Sequence, residues 1–248
     1  METEALTALP DSLEEFYEFG LITEELDVIK SGKEATAYLC RGTPKLGVPF
    51  AVAKIYHERN HRNFKRASVY QENRVILEGQ VARAVKNHSE FGKQAEDALW
   101  VDHEFEWLSN LHYAGVDCPE PYYSNARAIL MELVSDEAGV PAPQLQHARI
   151  DPRLAPAMFE RLLWNIETML SQNCIHGDLS PFNILVHDDR CVIIDLPQCI
   201  DPRFSESAYR MLERDVANVA KFFARYGVAF DSPAYVGRLW DRWQRAEL

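Results

Sequence analysis

Apolar and polar positions alternate along this chain with two different periods, and the changes of period mark out its elements. Asp11, Ser12 and Glu15 resemble a capping box ahead of Phe16, Tyr17 and Phe19, and Gly20 offers a stop, which predicts a short leading helix. Residues 27–29, 35–40 and 50–56 have strand character. Turn signals at Ser31-Gly32-Lys33-Glu34 and across 42–49 separate them, so a small antiparallel sheet is expected. Trp100, Glu104, Trp107, Leu108 and Leu111 then repeat at helical spacing, which predicts a helix over about 95–113 ending at Gly115. Cys118-Pro119-Glu120-Pro121 breaks the chain before a strand at 128–134, and Pro141 and Pro143 mark a linker.

Beyond the linker the pattern is mostly helical. Residues 154–171 are apolar almost all round, as expected of a helix at the centre of a second lobe. Strands at 183–186 and 191–195 flank His187-Asp188-Asp189-Arg190, a hairpin signal. Leu212, Val216, Val219, Ala220 and Phe223 share one helical face that stops at Gly227. No internal repeat or low-complexity stretch interrupts this order.

Composition narrows the function classes. With 248 residues, 47% of them hydrophobic and 26% charged, the chain has globular composition, and a disordered tail is excluded. A net charge of −12 argues against bulk adhesion to nucleic acid or acidic lipid. Segment 57–94 is the exception: Arg59, Arg62, Lys65, Arg66, Arg74, Arg83, Lys86 and Lys93 outnumber its acids. The 5 cysteines show no paired spacing, which suggests reduced thiols and a cytoplasmic location. Apolar runs fall far short of the roughly 20 residues of a membrane span, so no membrane is expected as a partner. Glu2, Glu4 and Asp11 stand where a secretory signal would be basic, so the N-terminus reads as untargeted.

Chemistry concentrates in His176-Gly177-Asp178-Leu179-Ser180-Pro181-Phe182-Asn183 and in Ile193-Ile194-Asp195 after the hairpin. An antiparallel ribbon returns the chain beside its start, which brings Asn183 and Asp195 together. One carboxylate and one amide oxygen suit Mg²⁺, a hard cation that keeps waters or substrate phosphates as its other ligands. Asp178 is then free to accept or orient the proton of an attacking hydroxyl. His176 reads as a structural hydrogen-bonding residue. Glu104 falls on an apolar helix face and needs a cation, and Lys54 in strand 50–56 is the candidate. Taken singly, each feature has a bland alternative: a turn cap, a strand end, an edge lysine, a part-exposed glutamate. Ser31-Gly32-Lys33-Glu34-Ala35 lacks the spacing of an NTPase P-loop. It is either an ordinary hairpin turn or a lid aiming the Ser31 hydroxyl and backbone N–H groups at phosphates.

Together these motifs resemble the RIO family of atypical serine/threonine protein kinases over about 21–230. The resemblance implies an α+β, two-lobed protein-kinase-like fold: an N-lobe antiparallel sheet with one main helix, a mostly helical C-lobe and a short activation segment. It makes 1–248 a single kinase domain, with the N-terminal lobe at about 1–134 and the C-terminal lobe at about 135–248. By similarity, Ser31, Gly32, Lys33, Glu34 and Ala35 replace the glycine-rich loop, and Lys54 and Glu104 position ATP. The hinge includes Met131, Glu132 and Val134, with adenine at the backbone of Glu132 and Val134. Asp178 is the catalytic aspartate, and Asn183 and Asp195 hold Mg²⁺, or Mn²⁺ in its place. Segment 57–94 matches the family's mobile basic segment, which implies contact with RNA or a ribosomal particle and makes Ser68 a candidate for autophosphorylation. The short N-terminal extension and the missing C-terminal tail suggest a minimal member without a winged-helix domain. Only about ten residues separate Leu196 from the next helix, which favours an ATPase role beside protein phosphorylation, with Asp195 able to carry a phospho-aspartate. The alternatives are a small-molecule phosphotransferase of aminoglycoside or choline kinase type and an ATP-dependent assembly scaffold with little turnover.

Overall fold

The computed structural model describes residues 11–57 and 90–248. Most of the basic segment, 58–89 with Ser68, lies outside the described residues. The leading helix α1 (Asp11–Glu18) ends at Gly20, whose φ of +61° reverses the chain into the sheet. Strands β1 (Ile22–Ser31), β2 (Ala35–Gly42) and β3 (Phe50–Tyr56) form an antiparallel meander. After helix α2 (Glu90–Tyr113), β4 (Pro121–Ser124) and β5 (Ala128–Glu132) complete a five-stranded sheet in the order β1-β2-β3-β5-β4. Lys54 therefore sits on the central strand, and the edge reading of that lysine is ruled out. Strand β4 was not expected. Its proline opens an edge strand, where a missing N–H costs no ladder bond.

The sheet has two different faces because successive residues project to opposite sides. Ala51, Ala53 and Ile55 pack with Leu13 and Phe16 of α1. Val52, Lys54 and Tyr56 alternate with them and point the other way. On that side Ile129 joins Leu108 and Leu111 of α2.

The second lobe is built on α3 (Ala155–Ser171), the ribbon β6 (Ile184–His187) and β7 (Arg190–Ile193), α4 (Ala208–Phe223) and α5 (Ser232–Gln244). Helix α3 is amphipathic rather than apolar all round: Trp164 reaches solvent, with the Arg161 guanidinium 3.9 Å above its ring. Helix α5 lies beyond the periodicity read from the sequence. It starts at an Asp231 cap that accepts from the Ala234 N–H and is tied back by Arg242 to Glu167 at 2.8 Å.

One apolar cluster runs through both lobes: Val101, Leu108 and Leu111 of α2 belong to it together with Leu162 and Ile166 of α3. Polar bonds at the same junction add direction. Asp117, just past α2, receives Arg161 Nε at 2.7 Å and Arg161 Nη2 at 3.0 Å, and Asn165 Nδ2 at 2.9 Å. Its own backbone N–H donates to Asn165 Oδ1, and its carbonyl accepts from the Ile193 N–H of β7. Burial pushes the Asp117 carboxyl up, but Arg161 and Asn165 outweigh it and hold it below its ordinary value. The cleft walls are thus set by a shared core and an oriented polar strut.

Candidate active site

Four separate stretches of chain meet in the cleft. Lys54 Nζ donates to Glu104 Oε1 at 2.7 Å and Oε2 at 3.0 Å, and to Asp195 Oδ1 at 2.8 Å. Glu104 also accepts the backbone N–H of Leu196 at 3.2 Å. The carboxylate on the apolar stripe of α2 is therefore buried and fully engaged. Burial alone would lower the Lys54 ammonium, but Glu104 and Asp195 outweigh it and hold it charged. Burial pushes Glu104 up, against the pull of Lys54 and the Leu196 amide. Lys54 is the main reason the Asp195 carboxyl sits below its usual range, so Asp195 is ionised.

The loop before the ribbon is held at each peptide. Gly177 has a φ of +78°, and a Cβ there would lie 2.7 Å from the Gln198 carbonyl oxygen, so only glycine fits. His176 Nδ1 accepts the Asp178 N–H at 3.3 Å, which leaves the proton on Nε2, 3.1 Å from the Ile194 carbonyl. Burial lowers the His176 pKa and keeps the ring neutral, consistent with a structural rather than a proton-transfer role. Asp178 itself is exposed at the cleft.

Asn183 and Asp195 flank the base of the ribbon, where Ile184 pairs with Ile193 and the Ile194 N–H donates to the Asn183 carbonyl at 3.0 Å. The Asn183 amide nitrogen donates to the Asp178 carbonyl at 2.9 Å, which turns its oxygen outward. Asp195 has a φ of +69°, unusual for a residue with a side chain, and its carboxylate remains 45% exposed. A carboxylate and an amide oxygen are an all-oxygen set that fits a hard divalent cation. Among the described residues no group of three His, Cys, Asp or Glu side chains gathers for a metal, so an ion here would draw further ligands from substrate or water.

The remaining expected residues frame the cleft. Ser31 Oγ lies 3.1 Å from Thr36 Oγ1, which in turn lies 3.2 Å from His57 Nε2, and the Gly32 N–H closes the turn on the Ala35 carbonyl. In this structure the hydroxyl and the first loop amide thus serve the hairpin, while Lys33 and Glu34 are exposed at its tip. Met131 and Glu132 end β5; the Glu132 N–H donates to the Glu120 carbonyl, and the Val134 carbonyl accepts from Ala142.

Helix α4 contributes a layer that the sequence pattern does not announce as functional. Asp215 accepts the Gly177 N–H at 2.7 Å and the Leu179 N–H at 3.1 Å, Asn218 Nδ2 donates to the Leu179 carbonyl, and Arg214 Nη2 donates to the Gly177 carbonyl. A signal is present in retrospect: Asp215 falls on the Leu212, Val216, Val219 stripe, as Glu104 does on its own helix. Burial pushes the Asp215 carboxyl up to about 7 in spite of these donors.

Comparison with known proteins places the chain in a family. The family model described as RIO domain matches residues 38–235. The chain is 31% identical over 217 residues to serine/threonine-protein kinase RIO1 of Chaetomium thermophilum, covering 84% of this chain and 41% of that protein. It is 30% identical over 208 residues to RIO-type serine/threonine-protein kinase Rio1 of Haloferax volcanii, covering 82% and 64% respectively. Against serine/threonine-protein kinase RIO1 of Homo sapiens, identity is 27% over 211 residues, with 85% of this chain and 35% of that protein covered. The chain thus spans well under half the length of the fungal and human relatives.

Proposed function

Since the chain belongs to the RIO family, we propose that it transfers the γ-phosphoryl group of ATP, as a RIO-type serine/threonine protein kinase with an ATPase capacity. The observation that carries the reading is the Lys54, Glu104, Asp195 cluster, which joins residues 50 and 141 positions apart in sequence at hydrogen-bond distance. An ammonium held by a buried acid is the means by which a kinase cleft keeps positive charge at the phosphates. Adenine would take the Glu132 carbonyl and the Val134 N–H at the hinge. Asp178, exposed beside the ribbon, would accept the proton of the incoming hydroxyl. Asn183 and Asp195 would hold Mg²⁺ or Mn²⁺, and the bound cation would neutralise charge on the phosphates. This treats the whole chain as one kinase domain.

The hydrolytic capacity rests on a specific feature. After Asp195 the chain is pinned at once by the Ile175 and Ile200 backbone pair, and α4 starts at Ala208. Little length is left for a loop on which a peptide substrate could lie, so water competes as acceptor. Contact of segment 57–94 with RNA or a ribosomal particle is part of the proposal and rests on the family resemblance and on the segment's positive charge. No helix among the described residues is long and apolar enough to cross a membrane. The cysteines Cys40, Cys118, Cys174, Cys191 and Cys199 are free thiols, which supports a cytoplasmic location.

The deciding test is incubation with Mg²⁺ and γ-labelled ATP, alone, with a basic protein and with a panel of small alcohols and amines. Label on the chain or on protein supports the kinase, and release as phosphate supports the ATPase. Transfer to a small molecule would instead establish a small-molecule phosphotransferase. Asp178→Ala should lower turnover about 10²- to 10⁴-fold while ATP affinity changes little. Biological function unaffected by that change would favour a scaffold.

A further inference from the structure

The nucleotide cleft needs more positive charge than Lys54 supplies. All three protons of that ammonium are directed at carboxylate oxygens, two of Glu104 and one of Asp195. One ammonium against two carboxylates leaves the cluster one negative charge, and Asp178 adds another. A triphosphate approaching with one divalent cation still meets a deficit of positive charge.

The sheet register shows where a second cation stands. Lys30 pairs with Ala37, and Ala37 pairs with Lys54, so the three lie on one cross-strand row. Residues in one row project to the same face. Lys30 therefore extends from the face that carries Lys54, two strands away, at a Cα separation of about 10 Å. The small Ala37 side chain between them leaves the space open. Ser31 belongs to the next row, with Thr36 and Ile55, and Ile55 packs toward α1 on the opposite face. The Ser31 hydroxyl follows that row to Thr36, so at the mouth of the hairpin the cleft face presents Lys30.

Lys30 is exposed, and among the described residues no carboxylate pairs with it.

We propose that Lys30 is a second phosphate-binding residue of this cleft, whose ammonium meets the outer phosphates of a nucleoside triphosphate from the β1 side. The inference rests on the ATP reading above and adds to it a residue of this chain that makes binding depend on the number of phosphates. Lys54 stays tied to its acids at the inner end, while Lys30 supplies mobile positive charge at the open end. Among the described residues its long arm has no ion-pair partner before the nucleotide arrives, so binding breaks no ion pair there.

The test is calorimetric titration of the full chain with Mg-ATP, Mg-ADP and adenosine, comparing wild type with Lys30→Ala and Lys30→Arg. Loss of one charge-assisted contact predicts about tenfold weaker Mg-ATP binding in Lys30→Ala, a smaller loss for Mg-ADP and none for adenosine. Lys30→Arg should stay within about threefold of wild type, because the charge is kept. Raising the salt concentration should narrow the gap between wild type and Lys30→Ala. Unchanged Mg-ATP affinity in Lys30→Ala, or an equal loss for adenosine, would overturn the assignment while leaving the ATP reading intact. A wild-type chain that binds Mg-ATP no better than it binds adenosine would remove the ATP reading and this inference together.

Discussion

Removing Glu104 tests the physical centre of the site. The Glu104 carboxylate accepts Lys54 at 2.7 and 3.0 Å and the Leu196 N–H at 3.2 Å, all in a buried position. Glu104→Leu fills the space but deprives a buried ammonium of its main partner and orphans a buried amide. Breaking a buried pair typically costs about 3–5 kcal/mol, and an orphaned donor about 1–3 kcal/mol. Asp195 remains beside Lys54 and offsets part of this, so about 3 kcal/mol is expected. For a chain of this size that lowers the melting temperature by roughly 6–12 °C. The sharper assay is the double variant Lys54→Met with Glu104→Leu. Removing both charges cancels the buried-ion penalty, and Asp195 is exposed enough to be solvated without its partner. The orphaned Leu196 amide is common to both variants and drops out of the comparison. The double variant should therefore melt above Glu104→Leu, by at least about 1 kcal/mol in denaturant unfolding, although neither binds nucleotide normally. A double variant that unfolds at the additive sum of the two single changes would refute the buried-pair reasoning.

Other expectations follow from the loop and its supports. Because the Asp215 carboxyl is raised to about 7 in the folded chain, the folded state binds the extra proton between its unfolded value near 4 and pH 7. Its contribution to stability is thus full at low pH and is lost as pH rises through that window. Wild type should lose stability relative to Asp215→Asn by up to ~1.4 kcal/mol per pH unit between pH 5.5 and 6.5, read by urea unfolding; parallel pH profiles would contradict it. Gly177→Ala meets both a φ of +78° and the Gln198 carbonyl, so we expect several kcal/mol of destabilisation or loss of turnover, with a thermal shift under 1 °C as the contrary result. Asn183→Ala should raise the Mg²⁺ concentration for half-maximal turnover at least tenfold while leaving the melting temperature nearly unchanged. A Mg²⁺ requirement equal to wild type would remove Asn183 from the metal set.

Much of this molecule is legible in one dimension because its signals are local. The alternation in 50–56 requires a half-buried strand wherever that strand goes, and Asp188-Asp189 between two short apolar runs requires a tight ribbon turn. That turn brings Asn183 and Asp195 to one end of the ribbon, so their juxtaposition, on which the proposed metal site rests, can be read from ribbon geometry alone. Glu104 on its apolar stripe likewise demands a cation, since an unpaired carboxylate is costly in a low-dielectric interior. Strand β4, opening with a proline at an edge, and helix α5, outside the longer apolar pattern, carry weaker local signals and emerge only from the packing.

What the chain order could not supply is the identity of partners across the fold. Lys54 might have faced solvent on an edge strand; the order β1-β2-β3-β5-β4 places it centrally and brings Asp195 to it as a second acid. Asp215 gains meaning only when α4 docks under the loop and its carboxylate receives two backbone amides. Lys30 acquires a role through a pairing register that puts it in line with Lys54. Hydrophobic periodicity acts over one or two turns and so is written in the sequence itself, whereas hydrogen bonds and ion pairs between distant segments depend on distances that exist only after the shared core has formed.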